Sequence, residues 1–325
     1  MTSDEELLAA LGPAERKALL EPSDLRGALA VGGDWALVAA ALAAVGTWPN
    51  VATLAGALVI VGGRQLAFAI LMHEAAHRTL FRTRALNDLV GEWLCAGPVW
   101  ADLRRYRKHH LAHHAFTGTA KDPDLCLVTP FPTSRASLLR KVARDLTGLA
   151  GLRRLVATFL MDTERLSYTA SGGARRLGPG DRAPGVWRRG LRRLAPFATS
   201  QLLVLAVCWA FGKPWLYAVW FAALLTTYSL FLRFRAIAEH SCTGEGPEAL
   251  PSTRTTEAGL LARLTVAPHG VNYHLEHHAL MSVPFFRLRA LHERLRARGA
   301  LAGAHVAPSY RAVLRRVVTA RTAAG

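Results

Sequence analysis

Three short histidine clusters carry the chemistry this chain can do. His274, His277 and His278 stand at i, i+3 and i+4, His110, His113 and His114 repeat that spacing, and His73 and His77 form an i, i+4 pair. On a helix each set falls on one face and aims its ring nitrogens at one small volume. With a lone His240 they make up nine of the thirteen histidines. Crowded imidazoles repel one another when protonated and run short of hydrogen-bond partners when neutral; a divalent metal removes both costs. Nine exceed what one ion can bind, so the count implies two metal ions. Nearly all-nitrogen ligation without thiolates suits redox-active iron better than magnesium or calcium, and ligand type alone leaves zinc and manganese open.

A rival reading starts from His73-Glu74-Ala75-Ala76-His77, which fits the H-E-x-x-H pattern of a zinc protease. It needs only one further ligand and leaves the other clusters unexplained. The first and third clusters and His240 each have an acid alongside, Glu74, Glu276 and Glu239, and Asp122 and Asp124 follow the second cluster. Ligating imidazoles usually donate their other N–H to such a group, so these five acids are candidates for orienting the rings. His109 is read as a surface or ring-orienting neighbour, and the isolated His292 and His305 as structural.

The elements that must position these residues follow from the charge pattern. Of 325 residues 51% are hydrophobic, yet 40 Lys and Arg face 23 Asp and Glu, a balance that suits either a nucleic-acid binder or a membrane protein with a charged face. Residues 35–63 are nearly free of charge, and 194–232 hold only Lys213. Each stretch is broken midway, by Gly46-Thr47-Trp48-Pro49-Asn50 and by Gly212-Lys213-Pro214, which predicts two transmembrane hairpins, about 29–72 and 194–234. The outer turns hold one cation while the remaining segments are crowded with arginine. The positive-inside rule therefore puts both termini and the histidines in the cytoplasm, in a cap formed by 73–193 and 235–325. Helix periodicity runs on from the second span into His73, and the fourth span runs into His240, so each hairpin delivers histidine at its inner end.

Smaller segments complete the expectation. Residues 1–28 form an N-terminal cytoplasmic segment with one amphipathic helix, Ser3 to Leu20, near the membrane surface, and 29–325 form a single domain. Leu86 to Val99 is too short to cross and reads as interfacial. The cations at 104–108 suit an anionic headgroup. Ser134 to Leu160 reads as one basic amphipathic helix on a membrane surface, in preference to a DNA-binding helix, so no nucleic-acid partner is expected. Ser171 to Arg193, rich in Gly, Pro and Arg, reads as a linker. Cys95, Cys126, Cys208 and Cys242 show no disulfide-like spacing, and the acidic N-terminus lacks the pattern of a signal peptide.

His73–His77, His110–His114 and His274–His278, in this order around two hairpins, resemble the membrane fatty acid desaturase family. So do Asn87-Asp88, Asp122-Pro123-Asp124, the run from Arg235 to His240 and the run from Asn272 to Pro284. The resemblance spans roughly Trp35 to Leu291. It implies an all-α integral membrane enzyme with four transmembrane helices and a di-iron site held by His73, His77, His110, His113, His114, His240, His274, His277 and His278. It further implies oxygen-dependent removal of two hydrogens from a fatty acyl lipid or acyl-CoA, with electrons from a separate donor such as ferredoxin and membrane lipids as surroundings. Hydroxylation or ketolation, for example of a carotenoid, is the neighbouring outcome of the same chemistry. One departure is Ala236, where animal acyl-CoA members have an asparagine that orients a metal-bound water; Asn272 is the candidate to replace it.

Overall fold

The computed structural model describes residues 4–168, 174–178, 184–246 and 248–318. Its frame is four long helices, Asp24–Thr47, Val51–His77, Val186–Ala210 and Leu216–His240, each apolar and long enough to cross a membrane. At about 1.5 Å per residue they reach roughly 36–40 Å, longer than the ~30 Å hydrocarbon layer. Boundaries follow local chemistry. Ser23 caps the first helix by accepting from Arg26 N, and Asn50 caps the second by accepting from Ala52 N and Thr53 N. The second helix runs unbroken into His77 and stops at Arg78, which is left-handed (φ 62°). This is the continuous delivery of the first histidine pair that the periodicity predicted.

The helices pack closely because small residues let them. A Cβ at Gly62 would lie 2.1 Å from Thr227 Oγ1, and one at Gly63 would lie 2.1 Å from the Leu264 carbonyl oxygen. Next to this contact Trp35 stacks on Trp220 (centroids 5.7 Å) and tilts against Phe68 (4.6 Å). Between the first hairpin and the segment before the third cluster lies a buried polar knot. Arg64 donates to Asp34 Oδ1 (2.7 Å) and to the Leu264 and Arg263 carbonyls, while His269 Nε2 sits 2.6 Å from Asp34 Oδ2. The knot pins the segment leading to the third cluster onto the membrane frame.

Four expectations change. The predicted Ser3–Leu20 helix is two helices, Asp4–Ala9 and Pro13–Leu19, because Gly12-Pro13 starts a new cap. Instead of lying on a surface they bury Leu7, Leu11 and Leu19 against Leu275, Leu288 and Leu291 of the cap; Ser3 itself is outside the described residues. The basic helix of 134–160 is also two, Arg135–Leu146 and Leu149–Asp162, parted by left-handed Gly148 (φ 78°). Within the supposed linker, Ala174–Arg176 pairs antiparallel with Leu166–Tyr168, and 171–173 and 179–183 lie outside the described residues. The third long helix begins at Val186, because Gly185 supplies the turn and the arginines beyond it are good helix formers. Residues 84–99 stay short of a span, as an α-helix, a π-helical turn and a 3₁₀ turn.

The Gly63 contact is tested by Gly63→Ala. The new methyl meets a backbone oxygen that cannot turn away, so a loss of about 1–3 kcal/mol is expected, read as a lower thermal midpoint in detergent.

Candidate metal centre

Each histidine cluster sits where an element ends. His73 and His77 close the second long helix and His240 closes the fourth. Helix Leu103–Phe116, capped by Asp102 accepting from Arg105 N, carries the second cluster, and the six-residue helix His274–Ala279 carries the third. That last helix is too short to stand alone. It is held by Asn272, whose Nδ2 donates to the Thr256 carbonyl and whose own carbonyl accepts from Thr256 N, both at 3.0 Å.

The nine imidazoles form two groups. One holds His73, His77, His110, His114 and His277, the other His113, His240, His274 and His278, and within each group one ligand nitrogen per residue lies within 4.8 Å of all the others. The sequence indicates nine ligands but not this division. Its cause is elementary: consecutive residues on a helix point about 100° apart, so His113 and His114 serve different groups, as do His278 and His277. The groups touch where the His114 and His278 rings stack at 4.1 Å.

Two rings are bonded on the outer side, while among the described residues Nδ1 of His73, His274 and His277 lacks a hydrogen-bond partner and the inner nitrogens face one another. Outward, His113 Nδ1 is 2.8 Å from Asp122 Oδ1, and His240 Nδ1 is 3.1 Å from the Ser252 carbonyl. Glu74 and Glu239 lie 3.3 and 3.5 Å from Nδ1 of His73 and His274. Inward, Nε2 of His73, His77 and His278 is buried with no partner. Nε2 of His114 faces Nε2 of His110 (3.0 Å) and of His277 (3.1 Å), and Nε2 of His274 faces Nε2 of His240 (2.7 Å). Lone pairs so gathered suit cations, and an all-imidazole donor set fits two divalent transition ions.

The candidate acids divide. Asp122 accepts from His113 and from the backbone N–H of Gly118 and Asp124. Burial alone would raise its carboxyl; these bonds outweigh it and hold the group below its ordinary value. Asp124 meets His109 at 2.8 Å, and this bond raises the His109 imidazole. Glu276 touches none of the nine rings: it accepts from Thr255 Oγ1 and lies 2.6 Å from His292 Nδ1, on the helix face turned away from the clusters. His292, expected to be merely structural, thus belongs to the support of the third cluster. Glu74 accepts from Thr79 Oγ1 and Phe285 N, so the glutamate of the HEAAH pattern is used behind the ligands rather than toward them.

Sequence reasoning missed the Asp34–Arg64–His269 knot. Its signal was two opposite charges inside otherwise apolar helices, which is costly unless they meet. Tyr106, stacked on His110 at 5.1 Å and 12°, was also missed; it stands between the first group and a cavity of about 900 Å³.

Outside the long helices, burial holds His110, His274, His277 and His278 well below the ordinary 6.5 and His114 down to about 2, with neighbouring imidazoles pushing the same way. Below about pH 6.5 the unfolded chain therefore binds more protons than the folded one. Metal-stripped protein is expected to keep its full stability above that pH and to lose it as pH falls, read as thermal midpoints between about pH 8 and pH 5. Asp122→Ala, which removes the partner of His113, is expected to weaken metal binding about 10–100-fold in a chelator competition.

Comparison with known proteins agrees with this geometry. A sequence model of the fatty acid desaturase family matches residues 28–310. Dihydrorhizobitoxine desaturase of Bradyrhizobium elkanii is 27% identical over 282 residues, 83% of this chain and 75% of that protein. With four membrane-length helices and two histidine groups set by their ends, the chain belongs to the fatty acid desaturase family.

Proposed function

We propose that this protein is a di-iron desaturase of the cytoplasmic membrane, introducing a double bond into a fatty acyl chain held as a lipid or a CoA ester. The observation that carries the reading is the division of nine imidazoles, five buried and four half-buried, into two all-histidine groups of five and four. His73, His77, His110, His114 and His277 would hold one iron, and His113, His240, His274 and His278 the other. When bound, the iron pair supplies activation of dioxygen, which no side chain can perform. In the net reaction two hydrogens leave adjacent methylenes, two electrons and two protons come from outside, and dioxygen ends as two waters.

The chain's own residues hold, orient and shield. Asp122 and the Ser252 carbonyl fix the rings of His113 and His240, and burial of the clusters keeps bulk water from the reacting carbons. The cavity beside Tyr106 offers Trp100, Leu127 and Met161 to an apolar chain. The cap faces the cytoplasm, because the turns at the far ends of the hairpins carry Lys213 alone among charges while the cap is rich in arginine. Electrons come from a separate donor of the ferredoxin kind, for which the basic cap is a complementary surface.

A specific observation favours a second reading of the substrate. The relative from Bradyrhizobium elkanii is named for dihydrorhizobitoxine, and the cavity here carries Arg105, Lys108 and Arg193 beside Asp124, Asp162 and Glu164. Charges of both signs also suit a small polar molecule desaturated by the same centre.

The test compares lipid and small-molecule profiles of cells expressing the wild type or His278→Ala. A new species two mass units lighter than an acyl lipid is expected, falling at least about tenfold in the variant. A product two units lighter among polar metabolites would select the second reading. A gain of sixteen units would mean hydroxylation, and peptide cleavage with one zinc per chain would overturn the oxidase reading altogether.

A further inference from the structure

The third long helix enters the frame beside a groove that the metal centre does not use. The groove, about 720 Å³, lies where the short helix Arg84–Val90 and the π-helical turn after it meet the starts of helices Leu103–Phe116 and Val186–Ala210. Leu89, Trp93 and Pro196 give it an apolar floor. Around the floor stand five arginines and three carboxylates, and all three carboxylates are engaged. Asp88 accepts from Arg107, Glu92 from Leu103 N, and Asp102 from Arg105 N.

The cations are not all matched. Arg105 pairs with Asp162, and Arg189 and Arg193 pair with Glu164. Arg104 and Arg192 are exposed and, among the described residues, join no ion pair. Two unpaired guanidiniums on one groove present two forked donor sets to an anion, and phosphate oxygens match that geometry.

The surroundings select the source of the phosphate. Leu89 is 59% exposed, Trp187 65% and Leu191 66%, a band of large apolar side chains at the point where a membrane-length helix begins. Such a band costs free energy against water or a polar protein surface and gains it against acyl chains, and tryptophan favours headgroup depth. Cations directly beside apolar side chains match the two ends of one phospholipid. We propose that this groove binds an anionic phospholipid, its phosphate between Arg104 and Arg192 and its acyl chains along Leu89, Trp93 and Leu191. The site would tie the start of the third helix to that of the helix carrying His110, His113 and His114. It depends on the membrane setting and not on which substrate the iron centre takes.

The test uses the purified full chain in a neutral detergent, titrated with phosphatidylglycerol and, separately, with phosphatidylcholine bearing the same chains, reading the thermal midpoint. Phosphatidylglycerol is expected to raise the midpoint more than phosphatidylcholine. Taking roughly a fivefold factor per cation, Arg104→Gln with Arg192→Gln is expected to weaken its apparent affinity about 25-fold. Arg104→Lys with Arg192→Lys, which keeps the charge and loses the fork, should bind more weakly than the wild type and more tightly than the glutamine pair, and Arg140→Gln with Arg144→Gln, on another helix, should leave binding unchanged. If the glutamine pair fails to fold, each single glutamine variant is expected to lose about fivefold. Equal affinity in the glutamine pair and the wild type would overturn the site. An equal loss in the Arg140/Arg144 pair would reduce it to net charge. The full shift from glycerol 3-phosphate alone would show that no lipid is required. Loss of an acidic electron-donor protein by the glutamine pair, with lipid binding intact, would assign these arginines to a protein partner.

Discussion

Nine imidazoles, five buried and four half-buried, with ring nitrogens converging in two groups are the constraint on which this structure depends. Left bare, such a cluster combines desolvation, mutual repulsion on protonation and unsatisfied nitrogens, each costing on the order of a kcal/mol or more per group. A scaffold that tolerates this arrangement must hold the rings by means other than their mutual attraction. Here the means are helix ends: His73 and His77 on the second long helix, His240 on the fourth, and two shorter helices that carry the other six rings. The outer nitrogens of His113 and His240 are anchored by Asp122 and the Ser252 carbonyl, so for these two rings orientation is set before any ion arrives.

The membrane frame serves that end. Gly62 and Gly63 let the second helix approach Thr227 and the Leu264–Thr265 backbone more closely than any side chain would allow. Beside them the Asp34–Arg64 pair, buried and completed by His269 and two backbone carbonyls, ties the approach to the third cluster to the first hairpin. An isolated buried pair of this kind is at best neutral for stability. Its value here is positional, because the helix it steadies has six residues and carries three of the nine clustered histidines.

Much of the candidate centre was legible in the sequence, because metal ligation at i, i+3 and i+4 leaves a local signature that composition cannot imitate. The two hairpins were legible for a similar reason: charge is costly in hydrocarbon, so its absence marks the spans. What escaped depends on tertiary contact. Helix geometry turns His113 and His114 apart, but nothing local says which distant rings each one joins, or that Glu276 turns from the clusters toward His292. The N-terminal leucines read as a membrane-facing stripe, yet they found the apolar side of Leu275 and Leu291. An apolar stripe fixes that a helix is buried and leaves open against what. Gly148 and Gly185 show the same limit at boundaries, where one left-handed residue divides a periodic run in two or sets where a helix starts.

Iron counted per chain, on protein purified with its metal, tests the central claim most directly when wild type is measured beside His77→Ala and His240→Ala. The account predicts two irons in the wild type and a loss confined largely to one ion in each variant, since the two residues belong to different groups. A single ion in the wild type, or full retention of both ions in both variants, would contradict it.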